Sequence, residues 1–305
     1  MGVCSFFSRA SVAALAVTGC QGIRIIQSND DGWAELYLRS FHDSLLSGGH
    51  DAVISAPAEN QSGRGSLDSD PTPRTAACEY DSCPANTNTP TGTNSSDTRL
   101  NWVNSFPATS IRYGINSIGP NLWGGAAPEL AVTGPNVGSN VYLQVQFSGT
   151  VGAACYAANT AGIPAIAFSG LTDGNLAWNT VPVPERSLIY ADLAANLTNA
   201  IIDAGAPYLP SGIFLNVNFP EVTGECTTPG AFKFVMSRIN PRTIFSAPDV
   251  DTCGSTALPT DKSVVDAAGC HVSVSVGECR DKSTADAANQ KIVLDKLGSL
   301  LTCLS

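Results

Sequence analysis

Ile23-Arg24-Ile25-Ile26-Gln27-Ser28-Asn29-Asp30-Asp31-Gly32 is an apolar run that stops on two adjacent carboxylates and a glycine. In an α/β protein this is the profile of a buried first strand whose carboxyl end carries the chemistry. Two neighbouring aspartates at such a tip suit a hard cation, and a hard cation suggests a phosphate-bearing substrate.

The residues that follow extend the pattern. Ala34, Leu38, Phe41 and Leu45 fall on one helical face and Gly48-Gly49 is a natural stop, after which residues 52–57 read as a second strand. A right-handed crossover makes the two strands parallel and brings their carboxyl ends to one edge. Further strands are expected at 129–133, 165–168 and 213–219. Ser148 is a suitable N-cap for a helix rich in small residues, and Ile189, Leu193, Leu197 and Ile201 form the apolar stripe of another. Ser283 and Asp286 read as a capping box for a C-terminal helix carrying Ile292, Leu297 and Leu301. Between 68 and about 100 the composition turns to Pro, Thr, Asn, Ser and Asp, the mark of a surface insertion, with regular structure resuming around residues 111–113. Cys78 and Cys83 lie close enough to staple a small loop inside it. The alternation predicts an α/β fold: a Rossmann-like, doubly wound, mostly parallel sheet in a single domain over 21–305, with a C-terminal extension.

With 305 residues and 43% apolar content the chain can bury a sizeable core. A formal charge of −10 argues against a nucleic-acid polymer or an anionic membrane as partner, since either is repelled. A nucleotide or small phosphate ester is compatible when a cation mediates. Residues 1–20 read as a signal peptide: one basic residue, a short apolar segment and a small-residue exit. Beyond them stand Cys78, Cys83, Cys155, Cys226, Cys253, Cys270, Cys279 and Cys303, an even number that fits secretion into an oxidising compartment. No apolar run after residue 20 approaches the roughly 20 residues that span a bilayer.

Three loops stand where strand ends should meet: Asn29-Asp30-Asp31-Gly32, Asn60-Gln61-Ser62-Gly63, and the run from Thr133 to Asn140. Their carboxylates, hydroxyl and amide are hard donors, suited to Mg²⁺, Mn²⁺ or Ca²⁺ rather than to thiolate-bound zinc. Ser148-Gly149-Thr150 opens a helix with free backbone amides and two hydroxyls, an arrangement that favours an anion. His42, in the first helix, and His50, just after it, are expected to face solvent, as is Arg64. There is no Gly-x-Ser-x-Gly elbow, no phosphate-loop Gly-Lys-Ser/Thr and no complete Gly-x-Gly-x-x-Gly fingerprint.

Taken together, Ser28-Asn29-Asp30-Asp31-Gly32, Asn60-Gln61-Ser62-Gly63, Thr133-Gly134-Pro135-Asn136-Val137-Gly138-Ser139-Asn140 and Ser148-Gly149-Thr150-Val151-Gly152-Ala153-Ala154 resemble the SurE survival-protein phosphatases, in the same order and with compatible spacing. Asn216-Val217-Asn218-Phe219-Pro220 and Thr260-Asp261 resemble later segments of that family. The resemblance implies a metal-dependent phosphomonoesterase acting on nucleoside monophosphates or other small esters, with acid phosphatase activity in secreted fungal relatives. It implies Asp30, Asp31, Ser62 and Asn136 as ligands of one divalent cation, with Asp30 and Asp31 also catalytic. Asn140, Ser148, Gly149 and Thr150 would face the phosphate. It also allows a homodimer formed through the C-terminal segment. The chain departs from the family in having Thr133 and Pro135 within the third motif and Thr109 where an aspartate is usual, and its insertion is long. The competing reading is a secreted binding protein or pseudoenzyme that keeps the fold without turnover.

Overall fold

The computed structural model describes residues 22–172 and 174–304, so the signal-peptide reading of residues 1–20 lies outside the described residues. The described strands are β1 (Arg24–Ser28), β2 (Asp51–Pro57), β3 (Thr91–Thr93), β4 (Leu100–Val103), β5 (Leu130–Val137), β6 (Ala165–Gly170), β7 (Ile213–Phe219), β8 (Lys233–Ser237), β9 (His271–Glu278), β10 (Ser283–Thr284) and β11 (Leu301–Thr302). The α-helices are α1 (Leu36–Ser47), α2 (Pro107–Tyr113), α3 (Gly119–Leu122), α4 (Gln144–Phe147), α5 (Gly149–Cys155), α6 (Glu185–Asp203), α7 (Asp261–Val265) and α8 (Ala287–Leu297).

All these strands join one sheet in the order β11-β8-β9-β7-β6-β5-β1-β2-β4-β3, with β10 attached to β9. Pairing is parallel from β4 across to β7 and again among β9, β8 and β11. It is antiparallel between β7 and β9, β9 and β10, and β3 and β4. The sheet is therefore mostly parallel with mixed edges, as the alternating pattern predicts. From β1 the chain winds outward through β2 on one side and then returns to place β5 on the other. The carboxyl ends of β1 and β5 thus flank a topological switch point, where an α/β sheet opens a crevice.

Successive strand residues face opposite layers, and both layers are covered. Ile25 packs with Phe41, Leu45, Phe168 and Leu197 beneath α1 and α6, whereas Ile26 packs with Val53, Ile111, Val151 and Ala154 beneath α2 and α5. Burial on both faces is the reason the strands read as continuous apolar runs. Phe41 meets Phe168 edge-on at 5.3 Å, and Tyr190 stacks on Phe219 at 5.4 Å, fixing α1 and α6 against the sheet.

Several local expectations are corrected. Strand structure returns at Thr91, not near residue 111, and the insertion ends in the hairpin of β3 and β4, where Trp102 is buried. Asp286 caps α8 by accepting the Asn289 N–H, but Ser283 lies in β10 and Leu301 in β11, and Ile292 is 44% exposed. The helix instead buries Gln290, Val293 and Leu297; Gln290 turns inward to donate to Asp249 at 2.9 Å, a polar anchor that an apolar stripe cannot signal. His42 and His50 are buried, not solvent-facing: His42 Nδ1 lies 2.6 Å from Gln27 Oε1 and His50 Nε2 lies 2.8 Å from Asn199 Oδ1. Arg64 is exposed. Cys78 pairs with Cys83, Cys226 with Cys270 and Cys253 with Cys303, while Cys155 and Cys279 carry free thiols.

Candidate active site

β1 ends at Ser28, and the turn after it is closed by Asn29, whose Oδ1 accepts the Gly32 N–H and whose Nδ2 donates to the Gly32 carbonyl. This Asx-type turn holds Asp30 and Asp31 against the sheet edge, 2% and 1% exposed. Asp30 Oδ2 accepts the Gly149 N–H at 2.9 Å and Oδ1 accepts the Thr150 hydroxyl at 2.6 Å. Asp31 turns the other way: Oδ2 accepts the Val137 N–H at 2.9 Å and Oδ1 accepts from Asn175 Nδ2 at 3.1 Å. Burial raises the Asp30 carboxyl above the ordinary carboxylate range despite the bonds from Thr150 and Gly149. Asp31 is raised further, first by burial and then by the charges of Asp30 and Glu35.

Asn136 arrives from β5, which breaks register between Thr133 and Asn136. Gly134 makes that irregularity: its φ is +92°, and a Cβ there would stand 2.2 Å from the Phe168 carbonyl oxygen. The Asn136 side chain is oriented by donating to the carbonyls of Val137 and Gly138, which leaves Oδ1 facing Thr150 Oγ1 at 3.4 Å. Asp30 and Asn136 therefore converge on one hydroxyl. The loop with Ser62 touches the same turn, because Gln61 N–H donates to the Asp30 carbonyl at 2.6 Å. Ser62 itself is exposed, with its N–H held by Asn60 Oδ1 at 2.9 Å.

Ser148 caps α5, its hydroxyl accepting the Val151 N–H at 3.1 Å. The two donors expected to face phosphate, Gly149 N–H and Thr150 Oγ1, are both committed to the Asp30 carboxylate. The helix end thus holds a carboxylate of the protein itself, favourably for its dipole. Asn140 is 5% exposed and clamped from three sides: its N–H donates to Asn218 Oδ1 at 2.7 Å, its carbonyl accepts from Asn216 at 2.8 Å, and its Nδ2 donates to Ser169 Oγ at 2.8 Å. Asp261 supports the same loop, accepting the Tyr142 N–H at 3.3 Å, and burial pushes its carboxyl up to about 7.

Asn175, Ser169 and the clamping roles of Asn216, Asn218 and Asp261 were not legible from the chain as site residues. They are separated by 29 to 144 residues from the groups they hold. Only the alternating polar positions Asn216 and Asn218, both fully buried in an apolar strand, carried a signal that something polar sits at that edge.

The donor set fits a hard divalent cation. Two adjacent buried carboxylates have no lysine, arginine or histidine paired with them among the described residues. Each of their oxygens accepts one bond from the protein and keeps a lone pair. No group of three or more His, Cys, Asp or Glu side chains suited to a metal occurs among the described residues, so the rest of a coordination shell would come from hydroxyl, amide or water oxygen.

A family profile described as Survival protein SurE matches residues 25–240. An acid phosphatase of Yarrowia lipolytica is 30% identical over 281 residues, spanning 83% of this chain and 78% of the relative. A 5'-nucleotidase SurE of Lawsonia intracellularis is 30% identical over 201 residues, 66% of this chain and 67% of the relative. The crystal structure of a SurE protein from Aquifex aeolicus superimposes with a TM-score of 0.58 at 20% identity, covering 89% of this chain and 98% of that one, which establishes the shared fold.

Proposed function

The chain belongs to the SurE family, and from that premise we propose that it is a divalent-cation-dependent phosphomonoesterase, hydrolysing nucleoside monophosphates or other small phosphate esters. The observation that carries the reading is the Asp30–Asp31 pair: two carboxylates buried at the switch point, hydrogen-bonded on every oxygen, with no cationic side chain to neutralise them. A buried pair of like charges is costly unless a cation compensates it. Asp30, Asp31, Ser62 and Asn136 would hold that cation.

When bound, the cation would polarise the phosphoryl group and offset charge developing in the transition state. The protein's own groups divide the remaining work. Asp30 is the anchored carboxylate, since Gly149 and Thr150 fix both of its oxygens. Asp31, held more lightly by Val137 and by Asn175 from a loop, is the group to orient and deprotonate an attacking water. Ser148 serves Val151 only as an acceptor and keeps its hydroxyl hydrogen for a phosphate oxygen. Asn140 has one amide hydrogen left beyond its bond to Ser169 and would donate it to the same group. Gly149 and Thr150 act on the phosphate through Asp30, a change of role from the expectation that they face it directly.

Three disulfides support an oxidising compartment, and with the reading of residues 1–20 they support secretion. The test is phosphate release from AMP and from p-nitrophenyl phosphate, with and without EDTA. Release that EDTA stops and Mg²⁺ or Mn²⁺ restores is expected. Binding of nucleotide without any turnover would sink this reading and favour a non-catalytic binding protein.

A further inference from the structure

Among the described residues three cysteine pairs are bonded, and the two cysteines left over there belong to one buried cluster. Cys155 ends α5 and Cys279 directly follows β9, yet both are members of one buried apolar cluster, 6% and 8% exposed, and each thiol lies within electrostatic reach of the other. The Lys282 ammonium lies beside them and donates to the Gln146 carbonyl at 3.1 Å, tying the segment after β9 to the one that leads into α5. The Cys279 N–H is fixed to the Gly212 carbonyl at 2.9 Å. Two thiols brought into one buried cluster by segments that are tied to each other through Lys282 and Gln146 are placed for cross-linking.

We propose that Cys155 and Cys279 form a fourth disulfide when the chain folds in an oxidising compartment, joining α5 to the C-terminal part of the sheet. The step is thiol–disulfide exchange with a disulfide oxidant of the glutathione or dithiol-oxidoreductase class. One thiolate attacks RSSR and releases RS⁻ to give a mixed disulfide. The second thiolate then displaces the other RS⁻, so the Cys155–Cys279 bond forms, two protons and two electrons leave the pair, and RSSR becomes two RSH. Exchange needs a reachable thiolate. Both sulfurs are covered in the folded chain, so the reaction belongs to the folding stage, before α5 docks on the sheet. The bond carries functional weight because the opposite end of α5 supplies the Gly149 and Thr150 donors that hold Asp30.

The experiment uses the full chain secreted from a eukaryotic host and purified without reductant. It is denatured, alkylated with iodoacetamide and mapped by mass spectrometry of non-reduced peptides. The expected result is a cross-linked peptide pair containing Cys155 and Cys279, with neither residue alkylated. In a Cys279→Ser variant, Cys155 should become the single alkylated cysteine beyond residue 20. The proposal is overturned if both cysteines are alkylated while the other three pairs are protected, or if either is found bonded to a different cysteine. Because the readout is covalent mass, it stands whether or not the chain turns over a phosphate ester.

Discussion

Gly149 and Asp30 touch along more than a hydrogen bond: beyond the 2.9 Å contact from the Gly149 N–H to Asp30 Oδ2, a Cβ at Gly149 would stand 2.7 Å from the Asp30 Cβ and 2.8 Å from Pro107 Cγ. The glycine therefore sets how close α5 approaches the β1 turn. Gly149→Ala must push Asp30 or the helix aside, an overpacking cost of about 1–3 kcal/mol in stability. A displacement on the order of 1 Å at a reacting centre costs roughly 100-fold. The variant should fold, with a lowered melting temperature, and lose about that factor in kcat/KM; a variant that keeps full activity would show that Asp30 is not held where catalysis needs it.

Thr150 gives a cleaner separation of shape from hydrogen bonding. Its hydroxyl donates to Asp30 Oδ1 at 2.6 Å inside a fully buried site. Thr150→Val keeps the volume and removes the donor, leaving a buried carboxylate oxygen short of a partner at about 1–3 kcal/mol. Thr150→Ser restores the donor. Phosphatase activity should fall sharply in the valine variant and return in the serine variant, while circular dichroism stays native in both.

Asn218 acts one step further out. It takes the Asn140 N–H at 2.7 Å and donates to the Asn140 carbonyl at 3.2 Å, so the loop that would offer an amide to phosphate is set by a side chain on β7. Asn218→Leu removes both bonds without touching Asp30 or Asp31. The expected kinetic signature is a rise in KM of about 10-fold, from roughly 1.4 kcal/mol of lost binding, with the melting-temperature shift on adding Mg²⁺ unchanged. Loss of the Mg²⁺ shift as well would mean that the Asn140 loop is part of the cation site.

The cation itself should be visible in stability. Without it, burial raises Asp30, and burial followed by the charges of Asp30 and Glu35 raises Asp31, so protons and a divalent ion compete for the same oxygens. EDTA-stripped protein should gain melting temperature on addition of Mg²⁺ or Mn²⁺, by the equivalent of about 2.7 kcal/mol at a hundred times Kd. The gain should shrink as the pH is lowered toward the carboxylates' own titration. Asp31→Asn should abolish the gain while making the stripped protein more stable, because it removes one of two repelling buried charges. A stripped Asp31→Asn protein less stable than the stripped parent would contradict the picture of an uncompensated pair.

The sheet was legible because strands buried on both faces leave unbroken apolar runs, as in Ile25-Ile26 and Ile213 to Phe219, and because Gly48 and Ser148 punctuate helices by chemistry that does not depend on the rest of the fold. Asp30, Asp31 and Asn136 were legible for a similar reason, since each ends or interrupts such a run. What the chain did not disclose is direction. Nothing local says that Gly149 and Thr150 aim at Asp30 rather than at a ligand, that Asn175 reaches Asp31, or that Gln290 turns into the core to meet Asp249. Those facts depend on contacts between segments far apart in the chain. The buried His42 and His50 belong to the same class: a polar ring reads as surface until its partners, Gln27 on β1 and Asn199 on α6, are brought beside it.

Glu35 supplies the last prediction. It caps α1 through the Tyr37 N–H and takes the Leu176 N–H at 2.9 Å, so it joins the first helix to the loop that carries Asn175. Burial outweighs those bonds and pushes its carboxyl from 4.5 to about 8. The folded protein thus keeps a proton there that the unfolded chain releases near 4.5. Wherever the folded state binds more protons, stability falls as pH rises, so the contribution is full at low pH and is lost between about 4.5 and about 8. Asp261 works in the same direction between 3.8 and about 7. His42, buried neutral and depressed from 6.5 to about 4, opposes them, but only below its ordinary value. From 6.5 upward the carboxylates act without that opposition, and in EDTA the melting temperature should decline from there to above pH 8. Glu35→Gln should start lower, because one buried N–H loses its acceptor, and should show a flatter profile across that interval. A melting temperature that rises from neutral to alkaline pH in EDTA would mean that Glu35 is ionised in the folded state and that its charge is paid for by a group outside the contacts described.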